Sequence, residues 1–247
     1  MRPLHVLSIF GTRPEAVKMA PVVQALAQTP GVLSRVCVTA QHRQMLDQVL
    51  TLFNIQPDRD LNLMRPNQSL ASLTAAIFEH LDPVLAEEDP DWILVQGDTT
   101  TVMAAAMLGY YRHIRVGHVE AGLRTGDKWQ PFPEEINRRI SGVVADLHFA
   151  PTERNRQNLL REGVPDSVIA VTGNPVIDAL RIISAFPEPP EIRQLLEQKK
   201  IEPFGKRKLL LVTAHRRENF GAPFEGICQG ILKIAKNYSD RVELVYP

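Results

Sequence analysis

The chain has 247 residues, with 28 lysines and arginines against 28 aspartates and glutamates, so its formal charge is zero. A hydrophobic share of 44% and a charged share of 23% exclude a disordered chain, which needs low hydrophobicity and a large net charge. The charge balance also argues against nucleic-acid binding through a generally basic surface.

At roughly 150 residues per domain, the length fits one large domain or two small ones. Cys37 and Cys228 are far apart and form no C-x-x-C pair, which argues against a disulfide scaffold or a structural zinc site. The apolar start, Met1 to Phe10, runs straight into Gly11-Thr12-Arg13-Pro14-Glu15 without a small-residue cleavage site, so no signal peptide is read. The most membrane-like stretch, Thr99 to Tyr111, falls short of the roughly 18–20 apolar residues a span needs. The expectation is a soluble, cytoplasmic protein without membrane or nucleic-acid partners.

In chain order, Leu4–Phe10 predicts a first strand and residues 13–28 a helix. The helix start is marked by the T-x-x-E capping box of Thr12 and Glu15, with Pro14 in the first turn. Strands follow at 35–39, 92–96, 115–119, 147–150 and 168–171, with helices at 70–87, 99–111, 134–145 and 153–162 between them. Most strands are continuous apolar runs, which is how strands buried on both faces read. Strand–helix alternation of this kind implies a parallel sheet with helices on both faces. Near residue 173 the pattern breaks. A short helix from Val176 is interrupted by Ala185-Phe-Pro-Glu-Pro-Pro, and a charged stretch leads to strands at 209–212 and 242–246 around a helix at 224–236. Residues 1–172 read as one domain and residues 173–247 as the beginning of a second. Two strands and one full helix are too little for a second α/β core, so the chain reads as incomplete.

In open parallel sheets, ligands bind beyond the carboxyl ends of the strands. The segments there are Gly11-Thr12-Arg13-Pro14-Glu15 with Lys18, Gln41-His42-Arg43, Gly97-Asp98-Thr99, Glu120-Ala121-Gly122 and Ala214-His215-Arg216. Every one is polar and ionisable. Taken singly, each has a plain structural reading. Glu15 is a capping acid, Asp98 an N-cap, and Glu134 with Glu135 acids suited to a helix's first turn. Glu120 is harder to dismiss, because it follows Val-Gly-His-Val directly and a carboxylate without purpose at the sheet edge is costly. No G-x-G-x-x-G, P-loop, G-x-S-x-G or H-E-x-x-H occurs, and the scattered histidines show no metal spacing. The expectation is no metal and no cofactor. Arg13, Lys18, His215 and helix N-termini suit an anionic leaving group such as a diphosphate. Asp98, Glu120 and Glu134 suit proton transfers on an uncharged ring. A nucleotide sugar has both parts.

Seven blocks carry a resemblance: 10–21 (FGTRPEAVKMAP), 39–48 (TAQHRQMLDQ), 97–101 (GDTTT), 116–125 (VGHVEAGLRT), 133–138 (PEEINR), 172–180 (TGNPVIDAL) and 213–219 (TAHRREN). In this order they resemble the non-hydrolysing UDP-N-acetylglucosamine 2-epimerases. The resemblance implies a glycosyltransferase-B-like α/β fold of two Rossmann-like, doubly wound parallel-sheet domains, the second incomplete here. It implies interconversion of UDP-GlcNAc and UDP-ManNAc without NAD or metal, by elimination of UDP to a 2-acetamidoglucal and its re-addition. Asp98, Glu120 and Glu134 become acid/base candidates. Arg13 and His215 become leaving-group contacts, with His215 also counted among the catalytic residues, and Lys18 becomes a substrate contact. Gln41 and Gln44 become candidates for a regulatory site taking a second UDP-GlcNAc. A homodimer and a place in surface-polysaccharide synthesis are also implied. The family's His-x-Asn-Pro and Gly-Gly-x-x-Glu-Glu segments are absent, so weak binding and poor or no turnover are expected of the chain alone. A glycosyltransferase, a hydrolysing epimerase and a non-catalytic remnant are the competing readings.

Overall fold

The computed structural model describes residues 2–40, 43–63, 65, 67–214 and 221–246, the side chains of Arg43 and Gln44 excepted. Alternate residues of β1 (Leu4–Phe10) feed two separate cores, as the two-residue period of a strand requires. Val6 and Phe10 enter one core with Met19, Ala20 and Val23 of α1 (Arg13–Gln28) and Leu46, Val49 and Leu50 of α2 (Arg43–Leu52). Leu7 and Ile9 enter the other, with Ile77, Leu81 and Leu85 of α3 (Leu70–Glu88) and the small residues Ala104–Ala106 of α4 (Thr100–Tyr111). The sheet is thus buried on both faces, which explains the continuous apolar runs.

Seven parallel strands form this sheet. Besides β1 they are β2 (Val32–Val38), β3 (Arg59–Asp60), β4 (Trp92–Gln96), β5 (Arg115–Val119), β6 (Leu147–Ala150) and β7 (Ile169–Val171), in the order β3-β2-β1-β4-β5-β6-β7. The chain winds outward from β1 in one direction and from β4 in the other. The switch point between them opens the crevice where doubly wound sheets bind ligands. Helices α5 (Glu134–Val144), α6 (Glu153–Arg161) and α7 (Pro175–Ser184) complete this unit.

The chain divides between Ala185 and Phe186, rather than after residue 172. The reason is α7: Ala179 is fully buried in the α1-side core, with Ile182 and Ile183 packed against it. The second unit holds α8 (Pro190–Gln198), β8 (Lys208–Leu211), α9 (Ala222–Asn237) and β9 (Val242–Val245), with β8 and β9 paired in parallel. Arg207 pairs with Glu243, and the Tyr246 hydroxyl donates to the Ala214 carbonyl at 2.9 Å. Among its described residues no apolar side chain is fully buried, and Leu211 is 64% exposed. No helix of the described residues is long and apolar enough to cross a membrane.

Candidate active site

The first turn of α1 is built as its sequence requires. The Thr12 hydroxyl accepts from the Glu15 amide, and Glu15 Oε2 accepts from the Gly11 and Thr12 amides at 3.0 and 2.7 Å. Glu15 is the capping acid expected, and it does more. Its Oε1 accepts from the Thr99 hydroxyl at 2.7 Å, tying the loop after β1 to the loop after β4. Burial pushes its carboxyl pKa up, against the pull of those hydrogen bonds.

Thr99, not Asp98, is the N-cap of α4, its hydroxyl accepting from the Val102 amide. Asp98 is therefore released from the capping role. Its Oδ2 accepts a forked pair from Arg138 of α5, 2.9 Å from Nε and 2.6 Å from Nη2. Asn137 fixes the same residue's backbone, donating to the Asp98 carbonyl at 2.9 Å. Arg138 also donates to Glu135, which is fully buried and accepts from the Thr125 and Gly126 amides. Burial alone would raise the Glu135 carboxyl pKa, but the Thr125 amide, Arg138 and the Gly126 amide outweigh it and hold the acid below its ordinary value.

Glu120 is the most constrained group. Its backbone is left-handed at φ +64°, a conformation a glutamate rarely adopts. Its Oε2 accepts from Lys18 Nζ and from Gln96 Nε2, each at 2.5 Å, and its Oε1 accepts from Asn174 Nδ2 at 2.7 Å. Asn174 at the same time caps α7, its Oδ1 accepting from the Val176 amide at 3.0 Å. Lys18, expected as a substrate contact, is thus drawn onto Glu120.

Glu134 opens α5 one turn before Arg138, on the same helix face. Its Oε2 is buried without a hydrogen-bond partner among the described residues. Arg13 is exposed at the start of α1 and pairs with no acid among the described residues, leaving it open to an anion. His215 and Gln41 lie outside the described residues, as does the side chain of Gln44.

Beneath the two carboxylate loops lies a buried histidine. His118 donates from Nε2 to the Gly97 carbonyl at 2.7 Å. Burial first, then the nearby His148, Arg124 and Arg138, depress its pKa from 6.5 to about 4 against the effect of that hydrogen bond. An unfolded chain takes up this proton near pH 6.5, whereas the folded one refuses it until about pH 4. Stability is therefore full above pH 6.5 and is lost as the pH falls toward 4, by about 3 kcal/mol from this residue. His148 is depressed by burial too and adds in the same direction. Urea unfolding across this range should show the loss, and His118→Gln should flatten it. An unchanged slope in that variant would remove His118 as the cause.

Comparison with known proteins decides the family. The model of the UDP-N-acetylglucosamine 2-epimerase family matches residues 24–247. The chain belongs to the UDP-N-acetylglucosamine 2-epimerase family. The UDP-N-acetylglucosamine 2-epimerase of Yersinia pestis is 56% identical over 249 residues, spanning 99% of this chain and 65% of that protein. The crystal structure of the Neisseria meningitidis epimerase bound to UDP-GlcNAc superposes with a TM-score of 0.90 at 48% identity, covering 98% of this chain and 65% of that one. The lipopolysaccharide outer core galactosyltransferase WaaB, at 12% identity and a TM-score of 0.57, shares the fold alone. The fold is therefore α/β and glycosyltransferase-B-like, with a Rossmann-like first unit. The chain spans just under two thirds of the length of these epimerases.

Beyond the residues read from sequence, the structure adds Arg138, Asn137, Gln96 and Asn174 as direct partners of the carboxylate residues.

Proposed function

We propose that this chain carries the proton-transfer half of an enzyme that interconverts UDP-GlcNAc and UDP-ManNAc. One observation supports the reading above the rest: at the switch point of the sheet, two carboxylates are each held by a cation, Asp98 by Arg138 and Glu120 by Lys18. Carboxylates fixed in this way at the edge of the sheet are positioned to exchange a proton with carbon. Inversion at C2 needs one group to remove the proton and another, on the opposite face, to return it. Glu134, whose buried Oε2 has no hydrogen-bond partner among the described residues, supplies a third acid/base candidate. As the C2 proton leaves to the base, the C1–O bond breaks toward UDP and a 2-acetamidoglucal forms. UDP then returns to C1 while C2 is protonated from the other face. Arg13 at the N-terminus of α1 suits the departing diphosphate, and we assign His215 to the same task.

We further propose cytoplasmic action as a homodimer, with Gln41 and Gln44 near a regulatory UDP-GlcNAc. Neither a metal nor a redox cofactor enters this scheme. The test is incubation of the chain with UDP-GlcNAc in heavy water, reading deuterium at C2 by mass spectrometry and NMR. Slow deuterium incorporation at C2, with little UDP-ManNAc formed, is the expected result for a chain that spans 65% of its relatives' length. Binding without exchange would leave a non-catalytic role. Free ManNAc would mark a hydrolysing enzyme, and UDP release that requires an acceptor would mark a transferase.

A further inference from the structure

We propose that His118 is a positioning residue, fixing the turn that presents Asp98 relative to Glu120 by clamping the Gly97 carbonyl. The proposal deepens the function proposed above and rests on it for its catalytic consequence. His118 lies on β5 two residues before Glu120 and is 1% exposed. Its Nε2–H donates to the Gly97 carbonyl at 2.7 Å, while the Gly97 amide donates to the Val119 carbonyl at 3.0 Å. Both polar groups of Gly97 are thereby bound to β5, one through a side chain and one through backbone. Gly97 has φ +81°, and a Cβ there would lie 3.6 Å from Glu120 Oε2, so its backbone sits directly against that carboxylate. The next residue is Asp98. The imidazole thus completes the set of bonds that fixes the two carboxylate-bearing loops against each other.

The histidine is a poor choice for packing alone. Its bond to a carbonyl places the proton on Nε2 and leaves Nδ1 bare, and that buried Nδ1 has no partner among the described residues. Across the strand pair, His148 stands in register with His118 and its Nδ1 is equally unpartnered. A leucine would fill similar space with no orphaned nitrogen. What leucine lacks is the N–H at Gly97.

The test has two arms. In the labelled chain, long-range proton–nitrogen NMR should find His118 neutral with its proton on Nε2, and a proton on Nδ1 would overturn the clamp. The second arm compares His118→Leu with His118→Gln, whose Nε2 can reproduce the imidazole donor. In the leucine variant, amide exchange at Gly97 and Asp98 should quicken by about tenfold, the loss of one hydrogen bond. Deuterium exchange at C2 should slow by a similar factor at saturating UDP-GlcNAc, with little change in KM. Glutamine should restore both. Wild-type protection of Gly97 in the leucine variant, or failure of glutamine to restore it, would overturn the proposal. Should the leucine variant not fold, the tautomer and the glutamine variant still decide. Wild-type chain without any C2 exchange would count against the proposed function, while the tautomer and the Gly97 amide would still judge the clamp.

Discussion

Glu120→Gln should slow C2 exchange by about a hundred- to ten-thousand-fold, the usual worth of a positioned acid or base. The amide keeps the shape and its oxygen can still accept from Asn174, but its NH2 group would face the Gln96 and Lys18 donors, it cannot take a proton and it offers Lys18 no charge. The Lys18 side chain is 24% exposed, so water can take over part of its solvation and the fold should lose far less than the chemistry does. Asp98→Asn should have a comparable effect for a related reason, since the Arg138 fork would then face a neutral group. Exchange at C2 in heavy water and urea unfolding of the same samples separate the two effects. Wild-type exchange in both variants would remove both acids from the reaction.

Gly122→Ala should destabilise the first unit by about 4 kcal/mol, through strain and overpacking together. Gly122 follows Glu120 by two residues and has φ +84°. A Cβ there would overlap the Asn155 carbonyl oxygen and lie 2.9 Å from its carbon and 3.1 Å from Leu159 Cγ. The first two are backbone atoms of α6, so no rotamer change relieves them, and Leu159 is itself fully buried. Gly163 makes the control. Its φ is +87° but nothing lies within 4 Å of a Cβ there, so Gly163→Ala should cost only the strain, about 1 kcal/mol. Equal urea midpoints for the two variants would show that the approach to α6 is not what requires glycine at 122.

The strands beside the switch point were legible because they are apolar without interruption: β1, β4 and β5 begin and end where their sequences predict. The sheet's edge was not. β3 is only Arg59–Asp60, held by pairing to Cys37 and Val38, and no local pattern marks so short a strand. α2 was hidden by the polar run at its start, although Leu46, Val49, Leu50 and Phe53 are buried at helical spacing and could have shown it. α8 was hidden by its prolines. Pro190 stands at its first position, where proline starts a helix rather than breaking one. The carboxylates could be read because sheet-edge acids are chemically conspicuous. Their partners could not. Arg138 meets Asp98 across 40 residues and Asn174 meets Glu120 across 54, so only the folded sheet brings them together. Both lay in the segments that carried the family resemblance, PEEINR and TGNPVIDAL, which is the one signal that pointed to them.

The left-handed backbone at Glu120 ties the site to distant parts of the chain. A glutamate in that conformation stands about 1–3 kcal/mol above a relaxed one. What holds it there arrives from three separate places: Lys18 on α1, Gln96 at the end of β4, and Asn174 at the start of α7. The last of these comes from the final element of the first unit, which docks against α1. A nascent or partly folded chain in which α7 is still undocked lacks that third donor, and its Glu120 is free to relax. The full set of donors on Glu120 thus depends on α7 being docked, and molecules that lack that contact carry the acids without the complete arrangement.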